Sequence, residues 1–63
     1  MFKDYPDILT IPQVAHALGI GLKAAYALVN RNILGCIRIG RTIKVPKEML
    51  VEYVRTARNN IKL

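Results

Sequence analysis

Only three residues, Gly19-Ile20-Gly21, separate two runs whose apolar side chains recur at helical spacing. That tight junction constrains the chain more than any other feature, because it predicts two short helices joined by a Gly-containing turn. The first run, "LTIPQVAHALG", opens with Thr10 and Gln13 at capping-box spacing. The hydroxyl can serve the Gln13 amide while the Gln13 side chain reaches back. Leu9 and Val14 have the spacing of a hydrophobic staple, and Pro12 is tolerated in a first turn that needs no internal donor. Ile11, Val14, Ala15 and Leu18 then line one face, and Gly19 is a natural left-handed stop. In the second run, "LKAAYALVNRN", Ala25, Leu28 and Val29 share a face with Leu22 on its edge. Lys23, Ala27 and Asn30 point the other way. Gly21 is a mediocre N-cap, and Asn32 can take the left-handed conformation that ends the helix.

The next stretch, "IRIGRTIKVP", alternates apolar and basic residues around a Gly-Arg step and predicts a two-stranded ribbon. Ile37, Ile39, Ile43 and Val45 form the apolar set, and Arg38 and Lys44 the polar one. Keeping each set on one face requires Ile39 to pair with Ile43 across an odd-numbered loop. Gly40-Arg41, however, looks like a two-residue Gly-X turn, which pairs Ile39 with Thr42. The face pattern is preferred, since a slip drives Arg38 or Lys44 toward the core, while the tip geometry stays open. Either way Arg41 lies at the tip.

Pro46 suits the first position of a final helix, with Glu48 in the first turn where the helix dipole favours an acid. Leu50, Tyr53, Val54, Ala57 and Ile61 make its apolar stripe, and Arg55, Arg58 and Lys62 lie toward the end that prefers cations. Residues 1–8, polar, acidic and broken by Pro6, read as an N-terminal arm, leaving 9–63 as one domain. The expected fold is mainly α with a small β-hairpin wing, an α+β winged helix-turn-helix in the order helix-helix-hairpin-helix.

With 63 residues there is room for one domain, which buries only about 60% of its unfolded surface. The lone Cys36 rules out an intramolecular disulfide, and no Cys/His cluster offers a structural metal site. An apolar content of 52% still argues for a compact fold. Ten Lys and Arg oppose four Asp and Glu, for a net charge of +6. The acids are Asp4, Asp7, Glu48 and Glu52, so residues 8–47 carry no carboxylate but do carry Lys23, Arg31, Arg38, Arg41, Lys44 and Lys47. An acid-free, base-only middle suits a polyanion or an anionic membrane surface, and interspersed acids would serve solubility better. The opening "MFKDYPDIL" has acids and a proline where a signal peptide needs an apolar run, and no stretch approaches a membrane span. A cytoplasmic protein without membrane contact is expected.

"LTIPQVAHALGIGLKAAYALVNRNILGCIRIGRTIKVPKEMLVEYV" resembles the excisionase-type members of the MerR-like winged-helix family. Their pattern of "LT-x-x-[EQ]-[VA]-A-x-x-LG-[VI]", a Tyr-x-Leu-[IV] core in the second helix and "[VI]R[IV]GR-x-x-[RK][VI]P" in the wing is met at nearly every anchor between residues 9 and 54. The combination is specific, though no single piece is. The resemblance implies a small DNA-binding factor of a phage, plasmid or integrative element. Many such proteins are recombination directionality factors acting with a tyrosine-type integrase, and others are transcriptional regulators. Departures are present. Gly21-Leu22-Lys23-Ala24 and Ala27 stand where family members commonly carry Ser-Arg-Ser-Thr and an Arg, so direct base readout is thin. Gly35 replaces the proline usual before the wing.

On this fold the second helix is expected to enter the major groove of double-stranded DNA while the wing grips backbone or minor groove. Lys23 is the best base-contacting candidate, with Asn30 either a second one or a phosphate contact. Tyr26 could bond a phosphate, although its flank position favours half-buried packing. Arg31 could clamp backbone or sit at a solvated helix end. Arg38, Arg41 and Lys44 are the expected wing contacts, positioning the protein without reading sequence. His16 faces solvent and Cys36 packs at the start of the wing. With no serine, no Gly-rich phosphate loop and no carboxylate pair, the chain is not expected to be an enzyme or to need a cofactor. Ending just after the third helix, it is expected to lack the effector domain of full-length MerR-type regulators, and so a small-molecule effector. Few base readers suggest side-by-side copies on bendable DNA. A regulator of element genes, or a protein-interaction inhibitor built on the same surface, are the alternatives. RNA is disfavoured by the scarcity of aromatics.

Overall fold

Thr10 ends a strand and caps a helix. Its hydroxyl accepts from the Gln13 N–H at 3.3 Å, and the Gln13 side chain accepts from the Thr10 N–H at 2.8 Å, completing the capping box. The computed structural model describes residues 2–60. The chain runs β1 (Ile8–Thr10), α1 (Ile11–Leu18), α2 (Leu22–Asn30), β2 (Ile37–Ile39), β3 (Thr42–Pro46) and α3 (Lys47–Asn60). Both helices of the first pair end as the sequence predicts. Gly19 takes φ 68, its N–H bonding the His16 carbonyl and the Ile20 N–H bonding that of Ala15. Asn32, at φ 58, repeats the arrangement, with Ile33 N–H reaching back to the Leu28 carbonyl at 3.0 Å. At the start of α2, Gly21 supplies no side-chain cap.

The expected hairpin is part of a three-stranded antiparallel sheet in the order β1-β3-β2. The added strand forms because Leu9 sits opposite Val45, and both side chains are fully buried on the face that covers the helices. The hydrophobic staple and the sheet therefore share one residue: Leu9 packs with Val14, also fully buried, while it pairs with β3. Pro46 is the last residue of β3, opposite Ile8, and not the first residue of the helix. The helix begins at Lys47, whose N–H donates to the Asp7 carbonyl at 2.7 Å. Extended pairing with β1 thus claims Pro46, and one helix-start donor is satisfied by the residue just before β1. Glu48 lies in the first turn as expected.

The core draws Ile11, Val14 and Ala15 from α1, Ala25 and Val29 from α2, Leu34 from the following loop and Leu50 from α3. Leu18, Leu28, Cys36, Ile43 and Tyr53 pack half-buried around it. Leu22 lies at 49% exposure on the edge of α2, and Val54 and Ala57 are half-buried on α3. Ile61, Lys62 and the side chain of Arg58 lie outside the described residues.

The wing differs from the preferred expectation. Ile39 pairs with Thr42, Arg38 with Ile43 and Ile37 with Lys44, so the turn holds two residues. Gly40 has φ 59 and Arg41 a negative φ, the sign combination of a Gly-X hairpin turn. Side chains directly opposite in a ladder share a face. Arg38 therefore lies on the same face as Ile43 and Val45, and Lys44 lies on the other with Ile37, Ile39 and Thr42. Burial does not prevent this register, because β2 overhangs the core: even Arg38, on the core-side face, is exposed. Arg38 pays no desolvation penalty at that overhang, so turn geometry, not the face pattern, sets the pairing.

Candidate nucleic-acid interface

Among the described residues, no helix is long and apolar enough to cross a membrane, and no three His, Cys, Asp or Glu side chains gather as a metal site. What the fold does assemble is a cationic, hydrogen-bonding edge where α2 meets the wing. Lys23 and Asn30 are seven residues apart, about two helical turns, and so lie on one face of α2 with Ala27 between them. Both are exposed. At the far end of that face Arg38 Nη2 donates to Asn30 Oδ1 at 3.4 Å. This contact joins β2 to the last turn of α2 and depends on the two-residue turn, which puts Arg38 on the helix side of the sheet.

The other candidates distribute around this edge. Tyr26, next to Lys23 on the flank of α2, is 41% exposed, so it stands further out than half-buried packing implies. Arg31 is the residue that caps α2, with φ −91, and its side chain is exposed. Arg41 sits exposed in the two-residue tip. Lys44 does not join Arg38: it is half-buried on the outer face, between Ile37 of β2 and Thr10 of β1. The basic set expected on one ribbon face is thus split three ways, with Arg38 toward α2, Arg41 at the tip and Lys44 outside. Among the described residues the one ion pair is Lys47–Asp7 at 3.9 Å, which includes none of these cations.

Leu22, Lys23 and Ala24 are all exposed at the leading turn of α2. The side chains that present themselves there are therefore one cation and two apolar groups, in keeping with the thin polar complement of the sequence. Two contacts went unforeseen. The Tyr5 hydroxyl hydrogen-bonds His16 Nδ1, and Tyr5 also stacks edge-on against Phe2 with ring centroids 6.2 Å apart, which fastens residues 2–5 to α1. His16 is exposed as expected, yet occupied by this contact. Arg38–Asn30 was the other, and the Gly-X signal at residues 40 and 41 could have found it, since the two-residue turn alone fixes which face Arg38 takes.

Comparison with known proteins agrees with this architecture. A family model described as "Helix-turn-helix domain" matches residues 8–58, from the first residue of β1 into the last turns of α3. Neither the curated proteins nor the solved structures give a match. The matched span takes in the whole of the sheet, the helix pair and the Asn30–Arg38 junction, and on that ground the chain belongs to the helix-turn-helix domain family.

Proposed function

We propose that this protein is a double-stranded DNA-binding architectural factor of excisionase type, which bends attachment-site DNA and promotes integrase-mediated excision of a mobile element. The helix-turn-helix is a DNA-binding motif whose second helix enters the major groove. The observation that carries the proposal is the Arg38–Asn30 contact, because it brings a wing cation within hydrogen-bond distance of the exposed face of α2. With no carboxylate between residues 8 and 47, no negative charge is interposed in that region. Lys23 meets base edges at the front of α2. Tyr26, Arg31 and Arg41 meet phosphates, and Lys44 supports the outer side of the wing. The excisionase assignment rests on the residue 9–54 resemblance. Sparse base readers favour cooperative binding by adjacent copies and selection of bendable sequence.

Reconstituted excision tests this. A supercoiled substrate carrying the element's two ends and its tyrosine-type integrase should recombine only when this protein is added. Footprints should fall as adjacent sites beside the integrase arm sites. Protection of a promoter with no effect on excision assigns the domain to transcriptional control instead. Absence of any footprint at low salt leaves a protein-binding role.

A further inference from the structure

We infer that the leading turn of α2 reads the methyl group of thymine, with Leu22 and Ala24, the sequence neighbours of Lys23, as its apolar contacts. The inference rests on the DNA-binding proposal and extends it to specificity. A groove-entering helix meets base edges with its N-terminal residues. In this chain those residues are Leu22, Lys23 and Ala24, and all of them are exposed. Leu22 stands at 49% exposure, although Ala25 and Val29 of the same helix are fully buried. Gly21 precedes them with no side-chain cap, and the space that a Cβ would fill there is open. Its backbone, at φ −71 and ψ 159, is one that any residue adopts, so neither conformation nor packing calls for glycine. The bare position lets a groove wall come close to the turn without meeting a side chain.

Chemistry then selects the base. In the major groove guanine, adenine and cytosine present only hydrogen-bonding groups, whereas thymine also carries a methyl group. An apolar side chain cannot satisfy a donor or acceptor, and covering one leaves it unpaired at a cost. Leu22 and Ala24 therefore gain free energy at a base edge by covering a thymine methyl. Lys23, with three donors and no acceptor, supplies the polar contact of the same turn. This preference needs no amide or guanidinium reader, which fits a turn whose presented side chains are one cation and two apolar groups.

The test is a methyl scan with the full chain. Each thymine of the footprinted duplex is replaced in turn by deoxyuridine, which removes the methyl and keeps the pairing groups. The native protein should lose about fourfold in affinity at two thymines, the loss expected for one methyl-sized group left unburied, and stay level at the others. Leu22→Asn should erase the loss at one of these positions, and Leu22→Met, still long and apolar, should keep it. Ala24→Ser should erase the loss at the other. Circular dichroism confirms that each variant is folded, and the scan of the native chain needs no variant. If no deoxyuridine weakens binding, or if the losses persist in both Leu22→Asn and Ala24→Ser, the turn does not read methyl groups and the inference is wrong, although the DNA-binding proposal stands. If the native chain binds no duplex even at low salt, the DNA-binding proposal fails and this inference falls with it.

Discussion

Arg38 and Lys44 stand on opposite faces of the wing. Arg38 pairs with Ile43 and reaches Asn30, whereas Lys44 pairs with Ile37 and Thr10 on the outer side. Two cations that look equivalent in sequence are therefore expected to behave differently. Arg38→Ala should weaken duplex binding by about tenfold, and Lys44→Ala by no more than about threefold, because of the two only Arg38 adjoins α2, the helix proposed to enter the groove. Anisotropy titrations at one fixed salt concentration measure both, and equal losses would show that the outer face also touches DNA.

On the proposed function, Arg41 and Lys23 should separate positioning from readout. The exposed tip residue should contribute to binding without regard to sequence, so Arg41→Ala should lower affinity alike on cognate and unrelated duplexes and reduce the salt slope by about one. Lys23→Ala, at the front of α2, should instead alter the ranking of sequences. Competition with a panel of single-base variants distinguishes the two behaviours.

Leu9 joins three elements at once: it pairs with β3, staples α1 and fills the core without exposed surface. Leu9→Ala should cost about 2–5 kcal/mol of folding stability. A domain of this size has roughly 3–9 kcal/mol in total, so much of the population should be unfolded at the upper end of that cost. Thr10→Ala, which removes half of the capping box, should cost about 1 kcal/mol. Urea denaturation followed by circular dichroism gives both values. A neutral Leu9→Ala would mean that β1 is dispensable.

Gly40 holds a left-handed φ of 59 in the tip, where an added Cβ has open space around it but an unfavourable backbone. Gly40→Ala should therefore destabilise by about 1 kcal/mol through conformation alone, with no clash to relieve. Thermal unfolding measures the loss. An increase in stability would show that the turn is not the Gly-X type.

Local signals made most of this fold legible in the sequence. The Thr10–Gln13 box, the Gly19 stop, the left-handed Asn32 and the apolar faces of α1 and α2 all depend on neighbours within a turn or two, and each is found where those neighbours put it. β1 was hidden because a three-residue strand is too short to show alternation, and its partner lies more than thirty residues away. The wing register went the other way from the face pattern for a related reason: that pattern has force only where one face is buried, and β2 overhangs the core. Leu34 escaped notice because no periodicity marks a single buried residue in a loop. At the candidate interface, the sequence supplied the cations and the helix face. It could not supply the Arg38–Asn30 bond, which exists only once the turn has chosen its register.

Salt titration of duplex affinity goes most directly to the central claim, that the exposed edge of α2 and the adjoining wing form a cationic surface for double-stranded DNA. With about four to six phosphates neutralised, a plot of log affinity against log salt should fall with a slope near −4 to −5. A flat plot, or no binding at the lowest salt, would contradict it.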